Sequence, residues 1–340
     1  MAIDHLLTVE NLKTYYYSKR KVVPAVDGVS FTLDQGEFLG IVGESGCGKS
    51  TVVRSIVGLI DSSYTRVEDG RVVFDGRDLL AMPLKKLCKV RGKDISMIFQ
   101  NPLTSLNPVY TIGIQVTEAL TTHQRLSVRE ARERALRLME LVKIPSPELR
   151  LRDYPHQLSG GMQQRVLIAM ALAMNPKLII ADEPTTALDV TIQAQILDLI
   201  RELREQVNMS MILITHNMGV VAETCERMMV MYGGVVVEQG NTRDIFAAPR
   251  HPYTRGLLSA IPSAMEDKEE LYSIKGTVPV FSHPVTGCRF YGRCPYSQED
   301  CALLEPPLVT VEGTHMARCR RLSEIPREIS AGKEVQADGQ

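Results

Sequence analysis

A glycine-rich stretch between an apolar run and a helix-like segment carries the clearest chemistry in the sequence. Residues 43–50 fit the pattern G-x-x-x-x-G-K-[ST]. Glycines at this spacing let successive backbone N–H groups point at a phosphate, and the start of the next helix adds a positive dipole end. We therefore expect Lys49 to reach the outer phosphates of a nucleotide and Ser50 to hold Mg²⁺. The other loop residues expected to bind the nucleotide are Gly43, Ser45, Gly46, Cys47, Gly48 and Thr51.

An acidic pair follows a second apolar run, residues 178–181. Asp182, at the end of a buried strand, suits a ligand of Mg²⁺ or of its water. Glu183 is then placed to orient or deprotonate an attacking water. Two acids could also simply begin a solvent loop, but beside a phosphate loop the pair favours metal-assisted hydrolysis.

Two further polar residues, Gln100 and His216, each end an apolar strand. Ligand-facing groups in open α/β sheets gather at the carboxyl ends of strands, so both are candidates for the same site. A histidine at such a position can equally be an ordinary boundary residue. Upstream, one of the tyrosines 15–17 could stack on a base, or all three could be ordinary strand residues.

The elements around these residues alternate between apolar strands and amphipathic helices. This alternation predicts an α/β fold with a mostly parallel sheet covered on both faces and an antiparallel portion near the N-terminus. A helical block at about 101–165 indicates a subdomain off the main sheet. The regular pattern fades after residue 240, which predicts a separate extension over 241–321 and a flexible tail over 322–340.

The totals of the 340-residue chain limit its class. Charged residues make up 23%, hydrophobic residues 44%, and the net charge is −1, which favours a soluble globular protein and does not suggest a nucleic-acid partner. No apolar run approaches the roughly 18 residues of a spanning helix. The N-terminus lacks the pattern of a signal peptide, so we expect the protein to stay in the cytosol.

Four of the seven cysteines, Cys288, Cys294, Cys301 and Cys319, lie in the last fifth of the chain. Their spacing fits neither a zinc-finger pair nor the common ferredoxin patterns. In a cytosolic protein the group indicates either reduced structural thiols or a metal site. A metal would staple a segment that has little core of its own. The spacing alone leaves both interpretations open.

Taken together, the motifs resemble those of the ATP-binding-cassette family of transport ATPases. The matching stretches are the Walker A loop 43–50, the Q-loop residue Gln100, the signature 158–161, the Walker B run 178–183, the D-loop 187–189 and the switch residue His216. The resemblance covers about residues 6–240. It implies a P-loop NTPase cassette with an N-terminal antiparallel β subdomain and an inserted helical subdomain, followed by a small cysteine-bearing extension.

The resemblance also implies that two cassettes meet head to tail and enclose two ATP molecules. Glu183 would polarise the attacking water, and Lys49 and His216 would contact the phosphates and stabilise charge. Tyr16 matches the adenine-stacking position best, with Tyr15 as the second choice. Mg²⁺ contacts are expected from Ser50, Gln100 and Asp182, and further nucleotide contacts from Ser159, Gly160, Gly161 and Asp189.

The resemblance is closer still to the ATPase subunits of dipeptide and oligopeptide importers. Residues 100–108 and 251–258 are typical of that branch, and residues 287–295 resemble its C-terminal extension. Members of the branch carry a [4Fe–4S] cluster on such cysteines. The resemblance therefore implies a [4Fe–4S] cluster on Cys288, Cys294, Cys301 and Cys319, with zinc as the alternative.

The function implied is ATP hydrolysis that energises dipeptide or oligopeptide import, although nickel and glutathione importers share much of the pattern. The implied partners are a second, related ATPase subunit (or a second copy), two transmembrane permease subunits and an extracytoplasmic binding protein. The chain would lie peripherally at the cytoplasmic face of the plasma membrane, with helices at about 101–152 docking the permeases. A soluble cassette ATPase acting on nucleic acid or ribosomes is the competing class, but this chain has no long heptad run. We expect no nucleic-acid partner.

Overall fold

A computed structural model gives the structure of the chain and describes residues 5–19, 21–186, 188–207, 209–260, 274, 276–279, 281–283 and 285–326. Of the tail predicted to be flexible, residues 327–340 lie outside the described part. The described residues fall into two compact units. The first unit lies within 1–6, 33–38 and 81–214, and the second within 7–32, 39–80 and 215–340.

The elements have the following bounds. The described strands are β1 Leu7–Tyr17, β2 Val22–Leu33, β3 Phe38–Val42, β4 Thr65–Phe74, β5 Arg77–Asp78, β6 Ile95–Ile98, β7 Leu178–Asp182, β8 Ser210–Thr215, β9 Arg227–Tyr232, β10 Val235–Asn241, β11 Val309–Glu312 and β12 His315–Ala317. The described α-helices are α1 Lys49–Ile56, α2 Leu84–Val90, α3 Pro102–Ser105, α4 Ile112–Thr121, α5 Val128–Leu141, α6 Pro147–Arg150, α7 Gly160–Leu172, α8 Val190–Val207, α9 Met218–Thr224, α10 Thr242–Ala247 and α11 Pro252–Ser259. Short 3₁₀ turns cover Pro155–Gln157, Tyr291–Arg293 and Glu299–Ala302.

The second unit contains the antiparallel sheet predicted near the N-terminus, with strand order β2-β1-β4-β5. Its other sheet strands follow the order β11-β12-β10-β9-β3, in which β3 and β9 are parallel and the remaining pairs are antiparallel. β3 is buried along its whole length, as its continuous apolar sequence predicts for a strand covered on both faces. The extension therefore adds strands β11 and β12 directly to a sheet of this unit.

The first unit contains the parallel strands β8-β7-β6 in that order. β7 and β8 are buried at every position. Helices α3 to α6 follow β6 without an intervening strand, and α4, α5 and α7 pack against one another. A capping box between Ser127 and Glu130 begins α5. Within the described ranges, no helix combines the length and apolar character that crossing a membrane requires.

Candidate functional site

The phosphate loop of the second unit joins β3 to α1 and needs glycine at two positions. Gly43 has a φ of 151° and Gly48 a φ of 107°. A Cβ at Gly43 would collide with the carbonyl oxygen of Met231, and a Cβ at Gly48 with that of Ala25. Any other residue would therefore push the loop away from its neighbouring strands.

Lys49 begins α1 and folds back over the loop. Its side chain is buried, and Nζ donates hydrogen bonds to the carbonyl oxygens of Gly43 at 2.8 Å and Glu44 at 2.9 Å. Ser45 and Gly46 are exposed, whereas Cys47 is buried beneath the loop. The ammonium group therefore lies within the loop itself, where a nucleotide phosphate would approach it.

The tyrosines of β1 face different partners. The Tyr16 hydroxyl lies 3.0 Å from Thr51 Oγ1 on α1, and its ring stacks on Tyr64 with centroids 6.1 Å apart. Tyr15 donates a hydrogen bond of 2.8 Å to Asp27, and burial, together with that bond, raises the pKa of Tyr15. Tyr16 is thus the tyrosine next to the helix of the phosphate loop, and Tyr15 anchors a structural contact.

In the first unit, the carboxyl ends of β6 and β7 bring Gln100 and Glu183 together. Gln100 Nε2 donates to Glu183 Oε2 at 3.0 Å, and Thr186 Oγ1 donates to the same oxygen at 2.9 Å. Asp182, 1% exposed, ends β7 opposite Ile214 of β8. The motifs did not point to Thr186, although a hydroxyl three residues after an acid is a common local hydrogen-bond donor.

Glu183 has a left-handed backbone conformation, with a φ of 49°. Its N–H donates to the carbonyl oxygen of Ile214 at 2.9 Å, which ties this turn to β8. A side chain with a Cβ is disfavoured there by about 1–2 kcal/mol. The turn that aims this carboxylate is therefore strained.

The signature residues lie at the start of α7 in the first unit. Ser159 is exposed and caps the helix, because its Oγ accepts a hydrogen bond of 3.4 Å from the N–H of Met162. Gly160 is also exposed. The exposed N-terminus of this helix has the geometry and the dipole that suit an anion.

Helix α8, which follows the D-loop, packs against the signature. A Cβ on Gly161 would lie 2.7 Å from Cγ2 of Ile192 in α8, so the two helices meet closely at this glycine. Asp189 is exposed, and its Oδ1 accepts a hydrogen bond of 2.9 Å from the N–H of Ile192. Ala187, the first residue of the D-loop, lies outside the described part.

His216 belongs to the second unit and follows β8 directly. It is exposed and lies in the turn between β8 and α9. The next residue, Asn217, caps α9 by accepting a hydrogen bond of 2.9 Å from the N–H of Gly219. The turn is therefore fixed at both sides of the histidine.

The four C-terminal cysteines line one cavity, which also has His251, Tyr291 and Arg321 in its wall. Burial, and after it the neighbouring thiols, raise the pKa of Cys294 to about 12 and that of Cys319 to about 11. The N–H of Arg321 donates to the sulfur of Cys319 at 3.3 Å. In the described part of the chain, however, no three His, Cys, Asp or Glu side chains are already grouped as metal ligands. The donors fit a thiophilic group in type and location, but they are not gathered around one point.

Two family models match the chain. The model described as "ABC transporter" matches residues 26–186, and the model described as "Oligopeptide/dipeptide transporter, C-terminal region" matches residues 237–301. The first match contains the phosphate loop, Gln100, the signature and Glu183. The second ends at Cys301.

Relatives and solved structures agree with these matches. The chain is 49% identical to the oligopeptide transport ATP-binding protein AppD of Bacillus subtilis, over 96% of this chain and 99% of AppD. It is 48% identical to the dipeptide transport ATP-binding protein DppD of Escherichia coli, over 92% of this chain and 96% of DppD. A dimeric, post-hydrolysis structure of the ATP-binding cassette MJ0796, bound to ADP and Pi, covers 70% of this chain and 99% of its own, with a TM-score of 0.63 and 31% identity. The chain therefore belongs to the ABC transporter family, as an ATPase of the dipeptide and oligopeptide importer type.

Proposed function

We propose that this chain hydrolyses ATP to drive the import of dipeptides or oligopeptides across a membrane. The observation that carries the proposal is the Glu183 carboxylate, held at the end of β7 by Gln100 and Thr186, in a chain that also has an intact phosphate loop. Similarity along nearly the full length of peptide-transport relatives supports the substrate class. No feature of the described residues favours nickel, glutathione, nucleic acid or ribosomes instead.

The proposed nucleotide contacts follow the chemistry of each group. Adenine would stack on Tyr16, and the phosphates would bind Lys49, His216 and the amides of the loop. The proposed loop residues are Gly43, Ser45, Gly46, Cys47, Gly48, Ser50 and Thr51. Ser50, Gln100 and Asp182 would hold Mg²⁺, which supplies charge neutralisation at the phosphates; their oxygen donors suit this hard cation.

Glu183 is the proposed base. Its carboxylate would accept a proton from the attacking water, while the amide of Gln100 and the hydroxyl of Thr186 fix its direction. Glu183→Gln keeps an oxygen that can accept both hydrogen bonds but cannot take the proton. We expect turnover to fall by about 10²–10⁴-fold while nucleotide binding persists.

The proposed assembly contains two cassettes. Ser159, Gly160, Gly161 and Asp189 would complete the nucleotide site of the facing cassette, because the N-terminus of α7 is exposed. The dimeric MJ0796 cassette supports this arrangement. We propose a related second ATPase subunit as the partner, two permease subunits docked on the helices after Gln100, an extracytoplasmic binding protein, and a location at the cytoplasmic face of the membrane.

We propose the same division of the chain as the sequence suggested: a cassette over 1–240, with helices at about 101–165, and an extension over 241–321. The two separate family matches support it. We also propose a flexible tail over 322–340, of which residues 327–340 lie outside the described part.

We propose a [4Fe–4S] cluster on Cys288, Cys294, Cys301 and Cys319, with zinc as the alternative. Support comes from their shared cavity and from the N–H donor at Cys319, a typical partner of a ligating sulfur. The test is anaerobic purification with iron, sulfide and zinc analysis. Four irons and four sulfides per chain would support the cluster, and one zinc would support the alternative. A protein with neither iron nor zinc would indicate that the cysteines are reduced structural thiols.

The transport proposal is tested by reconstitution. The chain and its permease, partner and binding-protein subunits are placed in liposomes, and uptake of labelled dipeptide, oligopeptide, nickel or glutathione is followed with ATP on the cytoplasmic side. Peptide uptake that needs ATP and stops with Glu183→Gln would support the proposal. ATP-driven uptake of nickel or glutathione alone would refute the substrate class.

A further inference from the structure

The C-terminal part of the chain reaches the phosphate loop at Glu44, the residue after Gly43. The N–H of Glu44 donates to the hydroxyl of Tyr253 at 2.8 Å, and its carboxylate accepts two hydrogen bonds from Arg293, at 2.7 and 3.0 Å. The Arg293 side chain is 8% exposed and that of Glu44 is 28% exposed, so solvent screens the pair only in part. A two-point guanidinium–carboxylate pair fixes direction as well as distance.

A second arginine of the extension supports the other end of the loop. Arg289 donates hydrogen bonds to the carbonyl oxygen of Gly233 and to the carboxylate of Asp27. The next residue, Gly234, donates its N–H to the carbonyl oxygen of Cys47 at 2.9 Å. Arg289 thus holds the β9–β10 turn, and that turn holds the loop just before Gly48.

A buried aromatic group gives these contacts a rigid base. The rings of Tyr232 and Tyr253 meet edge-on with centroids 4.8 Å apart, and Phe290 lies 5.1 Å from Tyr232. The guanidinium of Arg293 lies over the Tyr232 ring at 5.7 Å. Because Tyr232 and Tyr253 are fully buried, neither can turn without repacking the core.

We propose that Arg293 is a positioning residue for nucleotide binding, because through Glu44 it holds the phosphate loop in the conformation that receives phosphates. The inference rests on the proposed ATP site. The link to that site is Lys49, whose ammonium donates to the carbonyl oxygens of Gly43 and Glu44. Rotation of the Glu44 peptide groups therefore moves both a loop amide and an oxygen that holds Lys49.

The test measures binding and turnover in the full-length protein. Calorimetry with MgADP gives a dissociation constant for the wild type, Arg293→Glu, Glu44→Arg and the charge-swapped double variant. We expect each single variant to bind about five- to tenfold more weakly and the double variant to recover part of the loss. The KM for ATP should rise by a similar factor, while kcat at saturating ATP stays within about twofold, because Gln100 and Thr186 still hold Glu183.

Arg320→Ala is the matched control. Arg320, like Arg293, is next to a cavity cysteine in the sequence, but it pairs with Asp300 within the extension, at 3.9 Å. Its MgADP affinity should equal that of the wild type. Thermal unfolding without nucleotide separates lost folding from lost positioning. If Arg293→Glu unfolds early, Glu44→Gln, which keeps the shape and removes the charge, should still weaken MgADP binding.

The outcomes separate the two proposals. A folded wild type that does not bind MgADP would refute the ATP site itself. A wild type that binds, with Arg293→Glu and Glu44→Gln binding equally well, would overturn the role of Arg293 alone. Equal weakening by Arg320→Ala, or no recovery in the charge-swapped variant, would also overturn it, since either result means a general disturbance of the extension.

Discussion

Glu183 pairs its proposed catalytic role with a strained backbone, and substitution by Gly and by Ala separates the two. Both changes remove the carboxylate and therefore its hydrogen bonds from Gln100 and Thr186. Only Gly also relieves the conformation at φ 49°. The left-handed conformation costs a residue with a Cβ about 1–2 kcal/mol. The larger loss of backbone entropy on folding costs Gly about 0.5–1 kcal/mol, so from the middle of the two ranges Glu183→Gly should be more stable than Glu183→Ala by about 0.75 kcal/mol.

The sign of the stability difference between the Gly and Ala variants tests whether the backbone at Glu183 is strained. At an ordinary helical position Gly is less stable than Ala by about 1 kcal/mol. Glu133, exposed within α5, offers that comparison in the same unit. Urea unfolding of the four variants, without nucleotide, gives the two Gly-minus-Ala differences under identical conditions. They should have opposite signs, and both Glu183 variants should lose most ATP turnover.

Two results would refute the reasoning. If Gly destabilises position 183 as much as position 133, the backbone there is not strained. If Glu183→Gly hydrolyses ATP at the wild-type rate, Glu183 is not the base. If Glu183→Gly is more stable than Glu183→Ala and has lost turnover, the backbone strain at this position is the cost of directing the carboxylate.

Three further predictions concern packing and reactivity. Gly161→Ala should lower the free energy of unfolding by about 1–3 kcal/mol, because the added Cβ would lie 2.7 Å from Cγ2 of Ile192. Gly160→Ala should not lower it, because the Cβ there would lie 3.5 Å from its nearest neighbour, Cδ2 of Leu188. Urea unfolding of the two variants measures the difference. Cys47 should react with iodoacetamide far more slowly than exposed Cys88, as measured by mass spectrometry of the native protein, because it is buried and burial raises its pKa. Its rate should rise as the pH increases, because more thiolate forms, and equal rates at neutral pH would contradict its position beneath the loop. Glu238→Ala should cost about 3–5 kcal/mol in urea unfolding because this fully buried carboxylate accepts several hydrogen bonds; a loss below 1 kcal/mol would contradict that role.

The phosphate loop and the order of the elements could be predicted because their determinants are local. Gly43 and Gly48 are required where the loop passes close to other backbone, and glycine is visible in any sequence. Strand ends mark the positions of Gln100 and Glu183, since an apolar run that stops at a polar residue needs no knowledge of the rest of the fold.

The choice between Tyr15 and Tyr16 could not be made by counting along the strand. β1 pairs with β4 in one register up to Glu10, is displaced by one residue at Lys13, and returns to the first register from Thr14 onward. Across this irregularity the buried positions change from odd numbers, Leu7 and Val9, to even numbers, Leu12 and Thr14, so parity counted from the start of the strand fails at the tyrosines. Only the paired structure shows that Tyr16, and not Tyr15, faces Thr51.

The contacts of Tyr253 and Arg293 with Glu44 could not be predicted from the sequence for a different reason. Tyr253 and Arg293 lie 209 and 249 residues further along the chain. Both occur in stretches that resemble the importer branch, but no local pattern joins either of them to a phosphate loop. Long-range pairing of polar side chains has no period that a sequence reveals.

The structure also changes the physical argument for a metal in the extension. The sequence indicates a segment with little core of its own, which a metal at the cysteines would staple. In the structure β12 pairs with β10, and the carboxylate of Glu238 in β10 accepts hydrogen bonds from the N–H groups of Arg250 and His251 and from His315 Nε2. These contacts already hold the segment to the sheet, so a group bound at the cysteines would not be needed to keep the extension attached. Its effect would instead be local, in the wall of the cavity where Cys288 and Cys294 adjoin the two arginines that support the phosphate loop.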